Sequence, residues 1–259
     1  MTRRFIAAVL AVAATVWCGF LTIQATAAEN APVHVLVSNG MKAAMEELQP
    51  LAERTIGHPL APEFSSTAAL KKKIQGGEAF DATVITTGAI DSLIKEGKLT
   101  AASRTELGRS ILGIGIRAGA ARPDIRTVDA LKKTLRAAHS ITYPRDGASR
   151  GDLEKMFERL GIAAEIKPKI VLANGSGAAA ESVASGQVEM VLTLFSEIVP
   201  VHGLEILGPL PGEYQSDVRF SAAASSATKS PEAAKALIAF LAGPQAASVL
   251  KAKGLEPKK

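Results

Sequence analysis

The chain has 259 residues, of which 47% are hydrophobic, 21% are charged and only 4% are aromatic. These proportions are typical of a globular protein that can build one large core or two small ones, and they exclude a disordered or collagen-like chain. The formal net charge of +5 is too mild to indicate nucleic-acid binding, so no nucleic-acid partner is expected.

The N-terminus predicts export. A short basic start is followed by an apolar run over residues 5–23 and then by small residues, the three parts of a secretory signal. We expect a signal peptide at residues 1–28, cleaved after Ala27 or Ala28, and therefore a periplasmic protein. An uncleaved anchor is the alternative, since about 18 apolar residues already span a bilayer. The single cysteine, Cys18, would leave with the signal, so no disulfide or thiolate chemistry is expected in the mature protein.

After the signal, short β-rich runs alternate with helical patterns, the order that generates mostly parallel sheets with crossover helices. In the first half we predict strands and helices alternately at 33–37, 41–54, 60–64, 67–75, 82–85 and 89–96. Residues 110–117 then form a longer alternating strand, which would leave the first sheet and enter a second.

A second series of elements follows this long strand. Helices and strands alternate at 128–137, 140–143, 150–160, 169–172, 178–185 and 190–195. Strands at 206–210 and 218–224 would carry the chain back, and helices at 231–242 and 245–253 complete it. We therefore predict a two-lobed α/β fold, each lobe a mostly parallel sheet flanked by helices. Lobe 1 comprises 29–112 plus 204–259, and lobe 2 comprises 113–203.

Four strand-to-helix junctions carry small hydroxyl, amide or glycine residues. They are Ser38, Asn39 and Gly40; Ser65, Ser66 and Thr67; Gly147, Ala148, Ser149 and Arg150; and Asn174, Gly175, Ser176 and Gly177. Ligands of α/β proteins bind at the carboxyl ends of the strands, and helix amino ends expose unpaired N–H groups that attract anions. One such junction alone indicates ordinary capping and turns. Because the four divide between the two halves, we predict that they face each other across a cleft that binds a small anion.

Other side chains add to this site or argue against other chemistry. Thr86 and Ser196, next to the ends of further strands, complete the predicted ligand-binding set. Arg145 and Arg150 would bind a carboxylate through paired hydrogen bonds if they face the cleft; the alternative is that both side chains point into solvent. The histidines are spaced singly and indicate no metal site. Neither a nucleotide-binding loop nor a nucleophile–base pair is visible, so we expect no cofactor and no enzyme activity.

Several segments carry a family resemblance. The two most specific segments are residues 64–88 (FSSTAALKKKIQGGEAFDATVITTG) and 230–257 (SPEAAKALIAFLAGPQAASVLKAKGLEP). Three further segments show the same resemblance, at 35–48, 153–162 and 178–198. In these segments the chain resembles the periplasmic molybdate-binding proteins, which are type 2 solute-binding proteins of ABC importers. The resemblance implies two lobes joined by hinge strands, a monomer, a small anionic ligand held by hydroxyls and backbone N–H groups, and a permease partner in the inner membrane.

The resemblance also implies site residues. Carried over position by position, the family's ligand contacts fall on Ser66 or Thr67, near Ser149, and near Ser176. Two positions differ from the pattern of the family, because Gly40 and Leu194 stand where the family has a serine and a tyrosine. We therefore expect the substrate-binding component of an ABC importer for an oxyanion such as molybdate or tungstate. The alternatives are a small organic carboxylate, bound for uptake or sensing, and, less favoured, a periplasmic hydrolase on the same scaffold.

Overall fold

The computed structural model describes residues 31–258, so the predicted signal peptide lies outside the described residues. The strands of this range are β1 Val33–Ser38, β2 Leu60–Ser65, β3 Ala82–Thr86, β4 Thr105–Arg117, β5 Ile141–Pro144, β6 Ile170–Ala173, β7 Met190–Leu194, β8 Leu204–Pro209, β9 Asp217–Ala224 and β10 Glu256–Pro257. Its α-helices are α1 Lys42–Ile56, α2 Thr67–Gln75, α3 Thr87–Lys95, α4 Val128–Ala137, α5 Arg150–Arg159, α6 Ala163–Ile166, α7 Ser176–Ala184, α8 Phe195–Ile198, α9 Pro231–Leu241 and α10 Pro244–Ala252. The predicted α/β class is confirmed.

The strands form two groups that share β4. In the first group β1 pairs in parallel with β2 and β3, and β9 joins β3 to the first part of β4 in antiparallel fashion. In the second group β5 pairs in parallel with β6 and β7, and β7 and β8 pair with the second part of β4. The chain thus passes between sheets within β4: Thr105–Ile111 pairs with β9, and Leu112–Ile116 pairs with β7.

Each sheet has its own hydrophobic core, and helices cover its faces. In the first lobe α1, α9 and α10 pack on β1, β3 and β9 around the fully buried Phe220, while α2 and α3 cover the opposite face. In the second lobe α4 and α5 bury Leu131, Leu135 and Leu153 against β4, β5 and β7. The spacing of Leu131 and Leu135 places both on one helix face, which explains why α4 forms and docks there.

Three differences from the predicted elements have local causes. The predicted strand at 190–195 ends at Leu194, because Phe195 begins the one-turn helix α8 and only continues the apolar run. Strand β4 begins at Thr105, five residues before its predicted start, and pairs there with β9. Helix α7 begins at Ser176, two residues early, since Gly175 already adopts the N-cap position.

The boundaries of the lobes remain a proposal. Strand β8 pairs with the second part of β4, and Leu210 packs into the second core. We therefore propose that the second lobe extends to Ser216 rather than ending at residue 203. Across residues 31–258, no single helix has the length and hydropathy of a membrane span; α9 and α10 meet these criteria only when taken together, across a bend of 59°.

Candidate ligand cleft

All four strand-to-helix junctions reach one cleft between the lobes. Its lining comprises Ser38, Asn39, Gly40, Ser66, Thr67 and Phe220 from the first lobe, and Pro144, Asp146, Gly147, Ala148, Ser176, Leu194 and Glu197 from the second. The space between these atoms, including the mouth, is about 280 Å³. In the described conformation the two walls lie close together and leave interior room for about one water molecule, so the lobes must part before a ligand enters.

The first wall follows from the parallel register of β1 and β2. Ser38 pairs with Ser65 at the end of that register, so both strands deliver their junctions to the same sheet edge. Thr67 Oγ1 donates a hydrogen bond to Ser38 Oγ over 3.1 Å, which ties the two junctions together. The Ser66 hydroxyl oxygen accepts a 3.2 Å bond from the N–H of Ala69 and caps α2. The first turn of α2 is therefore held with its amide end toward the cleft.

The second wall repeats this arrangement with β5 and β6. Pro144 and Ala173 are partners in parallel register, so the junctions to α5 and α7 emerge side by side. Helix α7 begins at the buried Ser176, after Gly175 with φ of 94°, a conformation that favours glycine. The first N–H groups of an α-helix have no intrahelical acceptor, so α7 presents donors where Ser176 lines the cleft.

An apolar side of the cleft explains the glycine at position 40. A Cβ atom on Gly40 would lie 2.5 Å from Cζ of the Phe220 ring and 3.4 Å from Cδ1 of Leu194. These distances leave no room for a side chain unless Phe220 moves. The position at which the resembling family has a serine is therefore filled here by an aromatic ring from β9.

Glu197 adds a carboxyl group to the second wall. It lies on α8, and its carboxylate accepts hydrogen bonds from the hydroxyls of Thr193 and Ser176 and from the backbone N–H of Leu194. Part of its surface stays accessible in the cleft, yet protein atoms enclose it. This desolvation raises the pKa of the Glu197 carboxyl above its ordinary value, in spite of the three hydrogen bonds; the nearby charge of Asp146 adds to the rise.

The structure brings together part of the predicted site. The predicted residues that line the cleft are Ser38, Asn39, Gly40, Ser66, Thr67, Gly147, Ala148 and Ser176. The other residues of the predicted ligand-binding set do not line the cleft; they are Ser65, Thr86, Ser149, Arg150, Gly177 and Ser196. Of these, Ser149 is buried at the N-cap of α5, and Ser196 is buried with its N–H donated to Ser110 Oγ at 3.0 Å. Thr86 donates its N–H to Thr67 Oγ1 at 3.4 Å.

The two arginines do not line the cleft. Arg150 Nε lies 2.8 Å from Oε1 of Glu154, one turn along α5, and its Nη1 donates to the backbone oxygen of Arg145 at 2.6 Å. Arg145 itself is exposed. Because these contacts occupy the Arg150 guanidinium, we remove Arg150 from the proposed ligand contacts.

Sequence reasoning missed the acidic and apolar members of the site. Asp146, which lies in the turn after β5, borders the cleft together with Glu197 and Phe220, and none of the three was predicted as a ligand contact. Among the residues at 31–258, no three His, Cys, Asp or Glu side chains gather closely enough to hold a metal ion. The cleft thus combines amide and hydroxyl donors, two carboxyl groups and an apolar surface.

Two lobes linked by a shared strand, with helix amino ends facing a common cleft, define a solute-binding protein. The family model for bacterial extracellular solute-binding proteins matches residues 33–256, and the chain belongs to this family. The family implies a small ligand, a permease partner and a periplasmic location. The resemblance predicted from the sequence segments is confirmed.

Named relatives differ in what they bind or convert. Aconitate isomerase of a Pseudomonas species is 32% identical over 231 residues, which cover 86% of this chain and 87% of that protein. The molybdate-binding protein of Azotobacter vinelandii is 28% identical over 242 residues, covering 90% and 92%. The structure of an Azotobacter vinelandii periplasmic molybdate-binding protein superposes with a TM-score of 0.72 at 18% identity, covering 88% of this chain and 100% of that one. The last comparison shows the shared fold.

Proposed function

We propose that the protein is the periplasmic substrate-binding component of an ABC importer and that its lobes close on a small anion. The observation that carries this proposal is the meeting of four helix-start junctions, two from each lobe, at one cleft. An anion that bonds to both walls is bound better by the closed form, so it shifts the population toward closure. The closed monomer then docks on the permease. No cofactor and no chemical conversion enter this function.

The energetics are sufficient for useful affinity. Hydrogen bonds to charged groups contribute about 1.5–3 kcal/mol each, and micromolar binding requires about 8 kcal/mol. About five such bonds would suffice after ordering costs, and we expect the amide and hydroxyl groups of the two walls to provide them. Molybdate or tungstate and a small organic carboxylate are both within this class of ligand.

Export is part of the same proposal. The signal peptide at residues 1–28 would be cleaved after Ala27 or Ala28, leaving a chain whose first described residue is Ala31. Edman sequencing of the protein recovered from the periplasm should begin at Ala28 or Glu29. Retention of residue 1 in a membrane fraction would instead support an uncleaved anchor.

A pair of capping substitutions tests the ligand role of the first wall. The hydroxyl oxygens of Ser66 and Thr127 each accept a 3.2 Å hydrogen bond from the amide of the third residue of the following helix, but only Ser66 lines the cleft. Ser66→Ala and Thr127→Ala should each lower the free energy of unfolding by about 0.5–2 kcal/mol in urea titrations. Calorimetry with molybdate, tungstate and citrate should show weaker binding of the best anion by Ser66→Ala alone. Equal affinities in the two variants would argue against a ligand role for Ser66.

One observation favours a second function, isomerisation of a small polycarboxylate. The relative named aconitate isomerase shares 32% identity with most of this chain, and Glu197 supplies a carboxyl group of raised pKa inside the cleft. An isomerase needs a group that accepts and returns a proton with no net gain or loss of atoms, and such a carboxyl can serve as both acid and base.

This second function has a direct assay. The purified protein is incubated with either geometric isomer of aconitate, and the vinyl proton resonances are followed by NMR. Interconversion that Glu197→Gln abolishes would establish the enzyme and displace the transport role. Aconitate that binds without conversion would support the binding protein.

A further inference from the structure

The cleft contains acids where a simple oxyanion site needs none. Glu197 and Asp146 line the same space as the amide donors of Ser66, Thr67 and Ser176. Molybdate, tungstate and sulfate carry no proton at neutral pH, so an ionised carboxylate beside them repels them and accepts nothing from them. A carboxyl group is useful in an anion site only when the ligand brings a group that shares a proton with it.

The apolar side of the cleft indicates that the ligand has a carbon skeleton. The Phe220 ring and the Leu194 side chain border the cleft beside Gly40, and Pro144 completes this side. Protein atoms cover all three side chains in the described conformation, so a ligand contacts them only after the lobes have parted. Oxygen atoms pressed against such a surface lose water without gaining a hydrogen bond, which is costly. Carbon atoms placed there are stabilised by the same contact.

We propose that the cleft selects small organic acids that carry a second acid group or a hydroxyl beside a carboxylate, over fully ionised tetrahedral oxyanions. The carboxylate lies on the helix amino ends of α2 and α7, the proton-bearing group bonds to Glu197, and the carbon skeleton lies on Phe220 and Leu194. This inference deepens the proposed function and rests on it.

Glu197 is the specificity-determining group of this arrangement. Its raised pKa keeps the carboxyl neutral at higher pH than an ordinary glutamate, so it can donate one hydrogen bond and accept another. The hydroxyls of Thr193 and Ser176 face the Glu197 carboxyl. The charged group that acts on it is Asp146, which lies in the β5–α5 loop. The hydrogen bond that Glu197 accepts from the Leu194 amide is also what a glutamate that caps the start of α8 would make, which is a purely structural role. A measurement that depends on the bound ligand separates this structural role from a role in ligand specificity.

The experiment is calorimetry on the purified full chain with citrate, malate, molybdate and tungstate across a series of pH values. Glu197→Gln imitates the neutral carboxyl, and Glu158→Gln, an exposed position on α5, is the matched control. In the unaltered protein we expect an organic acid to bind about tenfold or more tightly than either oxyanion, a ratio equivalent to one charged hydrogen bond. Its affinity should fall as pH rises through the pKa of Glu197. The ligand ionises identically in titrations of the unaltered protein and of Glu197→Gln. The difference in affinity between these two proteins therefore reports the ionisation of Glu197.

In Glu197→Gln we expect the affinity for the organic acid no longer to fall over this pH range, and at pH values above the pKa of Glu197 we expect oxyanion binding about tenfold stronger than in the unaltered protein. Glu158→Gln should behave like the unaltered protein. Asp146→Asn, at an exposed position, should shift selectivity in the same direction and serves if Glu197→Gln proves unfolded. Tighter binding of molybdate or tungstate than of the organic acids, with selectivity unaffected by both variants, would overturn this inference and leave anion capture intact. Binding of none of the four anions would overturn the proposed function and the inference together.

Discussion

Replacing Phe220 with alanine is expected to lower the free energy of unfolding by about 3–5 kcal/mol, the usual cost of truncating a buried phenylalanine. The side chain has no exposed surface and packs in the core of the first lobe, where its ring also contacts Gly40. Removing it opens a cavity that borders the ligand cleft, so backbone collapse can recover only part of the loss. Urea unfolding followed by circular dichroism measures the change.

Phe64 provides the matched control, because it is a half-buried phenylalanine at the edge of the same core. Phe64→Ala should cost clearly less than Phe220→Ala. The contact with Gly40 has its own signature. Gly40→Ser should destabilise the native protein through the 2.5 Å approach, yet be tolerated together with Phe220→Ala. Strictly additive effects of the two substitutions would show that the ring does not occupy the space at position 40.

Ser176→Pro is expected to weaken binding of the preferred anion about 10- to 100-fold while leaving the helix intact. Ser176 is the first residue of α7, where proline is well accommodated because its N–H has no intrahelical acceptor. The substitution removes one amide donor from the cleft together with the hydroxyl. Ser176→Ala removes the hydroxyl alone and should weaken binding less. Calorimetric titration of both variants separates the backbone donor from the side chain.

Val128→Pro is the control for the proline itself. Val128 is the first residue of α4, which begins away from the cleft. This variant loses some packing in the second lobe and should retain anion affinity. If Ser176→Pro bound the anion as tightly as Val128→Pro, the amide end of α7 would not be a ligand contact.

Much of the fold could be predicted because it rests on local patterns. Helix α4 follows from its apolar spacing and cap, and it forms over the predicted residues 128–137. The four junctions could be chosen because serine, threonine and glycine at strand ends mark helix starts. Within each lobe, the meeting of two junctions at one sheet edge then follows from the parallel pairing of β1 with β2 or of β5 with β6, which requires no knowledge of side-chain packing.

The missed part of the site depends on long-range register and on very short elements. Phe220 reaches Gly40 because β9 pairs with β3, and nothing local to residue 220 shows this pairing. Glu197 lies in a single helical turn, which is too short to show a period and follows an apolar strand without a break. The orientation of Arg150 was visible in principle, since Glu154 stands four residues later and such pairs attract along a helix.

One anion that bonds to the helix amino ends of both lobes should protect both from amide hydrogen exchange. Exchange is measured by mass spectrometry on the purified protein with and without the anion that binds best. We expect slower exchange in the first turns of α2 and α7 together, one from each lobe, with no change in the first turn of α4. Slowing confined to one lobe, or absent from both while calorimetry reports binding, would contradict it.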